Sequence, residues 1–313
     1  MFEVAISELT SSRWDLQREV GHAASHGFDA ISLWRPKVSD VGPSAAARLI
    51  SAAGIRVSSL QWAGGFTGGD GRSFADSVED AAEAITMAAA VGAPVLVIHS
   101  GCRGGHTRSH AGRLLDQALE SLAPLAERSG ITLAVKPVHP AVAAGCSFLA
   151  GLDDALDLVE RLGSPAIRLA LDLWHFGDDP ATAELLPKLV RSTAILQVAD
   201  RCGPPAPGID RLPAGHGRLA VERLVGDLVD LGYLGPVEFD PVGETVEVLG
   251  YEAVWRETRL VADHWSDRHA VRRGGPLHGA AAGRLPAARG HFRGAAGLAA
   301  RKSHASSHTG SPG

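Results

Sequence analysis

Short apolar runs alternate with helix-patterned segments over the first 265 residues, and this alternation restricts the fold more than any other feature of the chain. The runs FEVAIS, DAISLW, IRVSSL, PVLVIHS, ITLAVK, IRLALDL, AILQVAD and GPVEFD are rich in Val, Ile and Leu and have the length of strands. Between them, DSVEDAAEAITMAAAVG and HAGRLLDQALESLAPLAERSG repeat apolar residues at spacings of three and four and stop at Gly92 and Gly130. AVERLVGDLVDLGYLG follows the same pattern. Strands separated by helices run parallel and are joined by right-handed crossovers. Eight such units predict an α/β fold, a (β/α)8 TIM barrel forming a single domain over residues 1–265. An open doubly wound sheet is the alternative, but no GxGxxG follows the first run.

Residues 266–313 lack a sustained apolar period and are dense in Gly, Ala, Arg and His, so a disordered tail is expected there. Its five histidines, His269, His278, His291, His304 and His308, are expected in solvated coil. The tail carries eight Lys/Arg and one Asp, which leaves 22 cationic and 34 anionic residues in front of it. The barrel is therefore acidic, more so than the formal charge of −5 suggests. Nucleic acid is not expected as a partner, because its phosphates need clustered Lys and Arg. No apolar run is long enough for a membrane span, and the N-terminus lacks the pattern of a secretory signal. Cys102, Cys146 and Cys202 are too few and too scattered for a disulfide framework or a Cys-based zinc site. A cytoplasmic setting and a small-molecule substrate are expected, with homo-oligomerisation left open.

In a TIM barrel the chemistry sits at the C-terminal ends of the strands. Those ends are polar from the fourth run onward: His99, then Lys136 and His139, Asp172 and His175, Gln197 and Asp200, and Glu238 and Asp240. Glu238 lies between Val237 and Phe239, which should face the helices, so Glu238 should point into the barrel, where a buried carboxylate needs a cation or donor. Asp172 reads equally as a ligand or as a helix cap, and Gln197 as a substrate contact or a core amide. Lys136 is an unusual strand-end residue, since its ammonium must be desolvated or paired. Arg103 in the SGCRGGHT loop suits an anionic group, though a plain solvated loop has the same composition. His216 lies in the PAGHGRL loop, and Trp62 in QWAGGF is either rim packing or a wall of the site.

ALDLWH, ITLAVKPVHP, LQVAD with its downstream RLPAGHG, and GYLGPVEFD together resemble the xylose-isomerase-like barrels, the sugar phosphate isomerase/epimerase family, over about residues 3–265. That resemblance implies one divalent ion, manganese or magnesium, at the mouth. Its ligands would be a glutamate, an aspartate, a histidine and a glutamate from strands five to eight, and the glutamates would also transfer protons. The aspartate falls on Asp172 and the last glutamate on Glu238, while Lys136 and Gln197 stand where the other two ligands belong. His175 matches a substrate-contacting histidine. A protonated lysine cannot ligate and repels a cation. No tight metal is therefore expected, with Asp172, Glu238 and Gln197 left for weak manganese or magnesium binding.

The leading expectation is an isomerase or epimerase acting by proton transfer α to the carbonyl of a small hydroxylated compound. Lys136 would take over the ion's Lewis acidity, and Glu238 or the Asp172–His175 pair would move the proton. His99, Arg103, His139, Gln197, Trp62 and His216 are candidate substrate contacts. A dehydratase of the same family shares the first step. A non-catalytic metabolite-binding barrel and a metal enzyme in which Lys136 swings aside are the remaining readings. An endonuclease is disfavoured by the acidic body. A Schiff base on Lys136 would need a neutral amine, which two neighbouring carboxylates oppose.

Overall fold

In the computed structural model, which describes residues 2–143 and 145–272, all eight apolar runs are strands. They are β1 (Val4–Ser7), β2 (Ala30–Trp34), β3 (Arg56–Gly64), β4 (Val95–His99), β5 (Thr132–Val135), β6 (Ile167–Asp172), β7 (Thr193–Val198) and β8 (Val237–Phe239). Each pairs in parallel with the next, and β8 returns to β1, closing the barrel. The helices are α1 (Leu16–Ser25), α2 (Arg35–Val41), α3 (Pro43–Ala53), α4 (Phe74–Val91), α5 (Arg108–Ser129), α6 (Leu152–Leu162), α7 (Leu173–Phe176), α8 (Pro180–Ser192), α9 (Val221–Asp230), α10 (Glu244–Leu249) and α11 (Tyr251–Arg272).

Local chemistry sets the helix ends. Ser73 and Asp76 form a reciprocal capping box at the start of α4, and the helix stops at Gly92 with φ 74°. Thr107 caps α5, which stops at Gly130 with φ 67°.

Alternation along each strand then sorts the side chains. Leu96, Ile98, Leu133, Val135, Leu169, Leu171, Leu196 and Val198 belong to the large cluster packed against the helices. Val95, Val97, Ala134, Ala170 and Ile195 form a separate small cluster, the interior of the barrel. Continuing the interior parity towards the C-terminal ends leads from Val97 to His99, from Ala134 to Lys136, from Ala170 to Asp172 and from Ile195 to Gln197. The interior is thus apolar below and polar at the mouth.

Two local features differ from the sequence expectation. β3 runs four residues past Leu60, and its pairing with β2 skips Ser58: Val57 pairs with Ile31 and Ser59 with Ser32. This bulge lets the adjacent Ser58 and Ser59 both face the interior. At the other end of the chain, α11 continues to Arg272, so residues 266–272 are helical rather than the start of a coil. Trp265 packs on Phe239, and Ser266 and His269 are buried one and four residues further on, which anchors this last turn. The rest of the expected tail, with His278, His291, His304 and His308, lies outside the described residues.

Candidate functional site

Strand register sets the site's first row. Asp172 on β6 pairs with Gln197 on β7, and Gln197 pairs with Glu238 on β8, so three interior side chains stand abreast. Lys136 follows β5, and its backbone N–H extends the ladder by donating to the Ile98 carbonyl at 2.9 Å. Pro137 follows at once and can donate to no further ladder bond. The Lys136 Nζ lies 2.7 Å from Asp172 Oδ2 and donates to Gln197 Oε1 at 2.6 Å. Gln197 Nε2 in turn donates to Glu238 Oε1 at 2.7 Å.

A second cation completes the floor. Arg211 arrives from the loop after β7, which folds back so that Arg211 and Val242 form an antiparallel bridge with the loop after β8. Its guanidinium lies 3.0 Å from Asp172 Oδ2 and donates to Asp240 Oδ1 at 2.6 Å. The loop behind it is tightly held, because Asp200 accepts backbone N–H groups from Gly215, Gly217 and Leu219. Asp172 also accepts from the Trp174 amide at 2.9 Å, so it caps α7 as well as pairing with the cations.

Burial opposes the ionisation of Asp172, but the adjacent Arg211 and Lys136 charges outweigh it and hold the carboxyl well below its usual range. The opposite balance applies to Asp240, which burial pushes up to about 7 against the pull of Arg211. Burial, reinforced by the nearby cations, brings His99 and His175 down to about 3, so both imidazoles are neutral at physiological pH. The His175 Nε2 stands 3.6 Å from Asp172 Oδ2, beyond a hydrogen bond. The Nδ1 atoms of His99 and His175 are buried without a hydrogen-bond partner.

Glu238 is fully buried and saturated. Its Oε1 accepts from Gln197 and Gln61, and its Oε2 accepts from Ser59 at 2.8 Å and Ser58 at 3.1 Å. Four neutral donors occupy the four lone-pair positions of the carboxylate. This side chain braces the floor.

A cavity of about 940 Å³ opens above. Trp62, His99, Lys136 and Gln197 line it, as does Asp240 from the polar strand ends, together with Gln61 and Arg211, which the sequence reading did not place among the site candidates. Asp172, His175 and Glu238 lie beneath or beside it. Three expected contacts are elsewhere. Arg103 is exposed, His216 bonds Glu257 on α11 at 2.8 Å, and His139 accepts from the Ala141 amide and packs against Phe176.

The donor set does not fit the divalent ion that the family resemblance implies. Lys136 and Arg211 occupy the space around Asp172, and Glu238 has no lone pair to spare. Among the described residues no group of three or more His, Cys, Asp or Glu could hold a metal ion. No helix among them is long and apolar enough to cross a membrane.

No curated protein matches the chain in sequence. Among solved structures, a protein from Sinorhizobium meliloti 1021 is 24% identical, with a TM-score of 0.73 over 81% of this chain and 96% of that one. An L-ribulose 3-epimerase is 18% identical, with a TM-score of 0.71 over 88% and 97% of the two chains. The IolI protein, solved with a zinc atom, is 16% identical, with a TM-score of 0.74 over 86% and 99%. These likenesses carry the fold. A profile of the xylose isomerase-like TIM barrels matches residues 20–261, most of the barrel from α1 to α11, and the chain belongs to that family.

Proposed function

We propose that this barrel is an isomerase- or epimerase-like enzyme that moves a proton α to the carbonyl of a small hydroxylated compound, using its own cations in place of a divalent ion. The observation that carries the reading is the position of the Lys136 ammonium, 2.7 Å from Asp172 on the cavity floor, with Arg211 on the same carboxylate. A carbonyl oxygen placed against these two cations gains stabilisation as it becomes an enediolate oxygen. The C–H bond α to the carbonyl breaks, its electrons pass to that oxygen, and a carboxylate takes the proton.

Geometry favours Asp240 as that carboxylate, because it lines the cavity while Glu238 is saturated and Asp172 lies between two cations. Asp172 and Gln197 then act by aiming Lys136. Returning the proton to the neighbouring carbon gives isomerisation, and delivery of a proton to the other face by a second donor gives epimerisation. Expulsion of a β-hydroxyl gives the dehydratase variant. We place this chemistry in the cytoplasm, with no nucleic acid or membrane partner.

Proton–deuterium exchange by NMR across a panel of ketoses and keto acids tests the reading. Exchange that survives chelator and is lost in Lys136→Met supports it. Exchange that requires added manganese overturns it. The saturation of Glu238 favours one second reading, a barrel that binds such compounds without turnover. A ligand-induced thermal shift with no exchange on any panel member would select that reading.

A further inference from the structure

The cavity is larger than the proposed chemistry requires. At about 940 Å³ it sits near the top of the range for sites that enclose drug-sized ligands. A short hydroxylated carbonyl compound would fill only the floor formed by Lys136, Gln197, Arg211 and Asp240. The remaining space lies over the loops after β2 and β3 and has a distinct lining. Trp34 and Trp62 stand on its wall, and Trp62 is 45% exposed, whereas Lys136, Gln197 and Asp240 on the floor are buried. An indole left open inside a cavity presents a large apolar face at little conformational cost.

Beside the indoles lies a network of paired charges. Arg35 donates to Asp80 through both terminal nitrogens, at 2.8 and 3.1 Å, and to the Trp62 carbonyl at 3.2 Å. Arg72 donates to Asp80 at 3.0 Å, to Asp70 at 2.8 Å and to the Gly64 carbonyl at 2.7 Å. Two guanidinium groups are thus matched by two carboxylates, so this ledge has no net charge to offer a phosphate or carboxylate. It offers donors and acceptors in fixed positions next to an aromatic face. That combination suits a neutral ring with an apolar face and hydroxyl edges.

We propose that the outer half of the cavity is a subsite for a second, uncharged sugar ring, so that the substrate is a glycoside-type compound whose reacting unit reaches the floor. The proposal rests on the reading of the floor as a site for hydroxylated carbonyl chemistry and names the substrate class of that site. The ring on the ledge undergoes no chemistry. It anchors the molecule and aligns the reacting carbon over Lys136.

Isothermal titration of the full chain with glucose, maltose, cellobiose, phenyl glucoside and glucose 6-phosphate tests it without turnover. At least one disaccharide should bind about tenfold or more tightly than glucose. Trp62→Ala should bring that ratio close to one, and Asp80→Asn should lower it, with thermal melting confirming that each variant is folded. Should Trp62→Ala fail to fold, the wild-type ratio and Asp80→Asn decide. Disaccharides no tighter than glucose overturn the proposal, as does preference for glucose 6-phosphate. Phenyl glucoside binding as tightly as the best disaccharide overturns it too, since the ledge would then read a ring face alone. Disaccharide binding with no α-proton exchange would leave the subsite standing and remove the proposed reaction. Exchange on short ketoses with no disaccharide preference would do the reverse.

Discussion

Lys136 and Arg211 reach Asp172 from different loops, so removing either one leaves the carboxylate a partner. Lys136→Met should therefore remain folded and cooperative while lowering α-proton exchange by about 10²- to 10³-fold, the scale of one preorganised charge donor. NMR exchange and calorimetry on the same sample check the two halves of this expectation. The arginine also changes what restoring the family's ligand set can achieve. Lys136→Glu with Gln197→His supplies the absent ligand types but keeps a guanidinium on Asp172. Manganese affinity, measured by titration calorimetry, should appear only when Arg211→Met is added. Equal affinity in the double and triple variants would refute the exclusion of metal by Arg211. Lys136 could be read from the chain because a lysine at a strand end is conspicuous. Arg211 could not, because the bridge between two loops that aims it has no periodic signature.

At the scale of elements, α1 and α2 enclose a buried acid pair next to the first turn of chain after β1. Glu19 lies 2.7 Å from Lys37, and burial together with the neighbouring Glu8 pushes its carboxyl up to about 9. Glu8 is raised as well, so Lys37 balances one negative charge and the pair retains a proton. The folded state then holds that proton where the unfolded chain, with an ordinary value of 4.5, releases it. The contribution to stability is complete below about 4.5 and declines as pH rises towards about 9. Glu19→Gln should flatten this decline, as read from denaturant midpoints across the same window; an unchanged slope would place the proton elsewhere. The eight strands were legible because each contains a short apolar run, and from β4 onward these runs close on polar residues. The donors to Glu238 were not, because the period-two rule sends Ser58 and Ser59 to opposite faces, and only the β3 bulge brings both inward.

Taken whole, the molecule is an acidic barrel with internal cations, an arrangement that separates what it attracts at long range from what it binds. The 34 anionic against 22 cationic residues of its first 265 positions predict no retention of duplex DNA by the barrel at physiological ionic strength, checked by gel shift. Exhaustive chelation should leave both the melting temperature and α-proton exchange unchanged, since the floor is held by ion pairs and amides. A drop in either on chelation, reversed by manganese, would contradict that account. The bridge between Arg211 and Val242 has one more consequence. By stapling the seventh and eighth loops together, it shuts that quadrant of the rim, whereas the cavity wall is built chiefly from the first five loops. Entry is then expected on the opposite side, over Trp34 and Trp62, and shortening the loops after β2 and β3 should speed exit without touching the reacting groups.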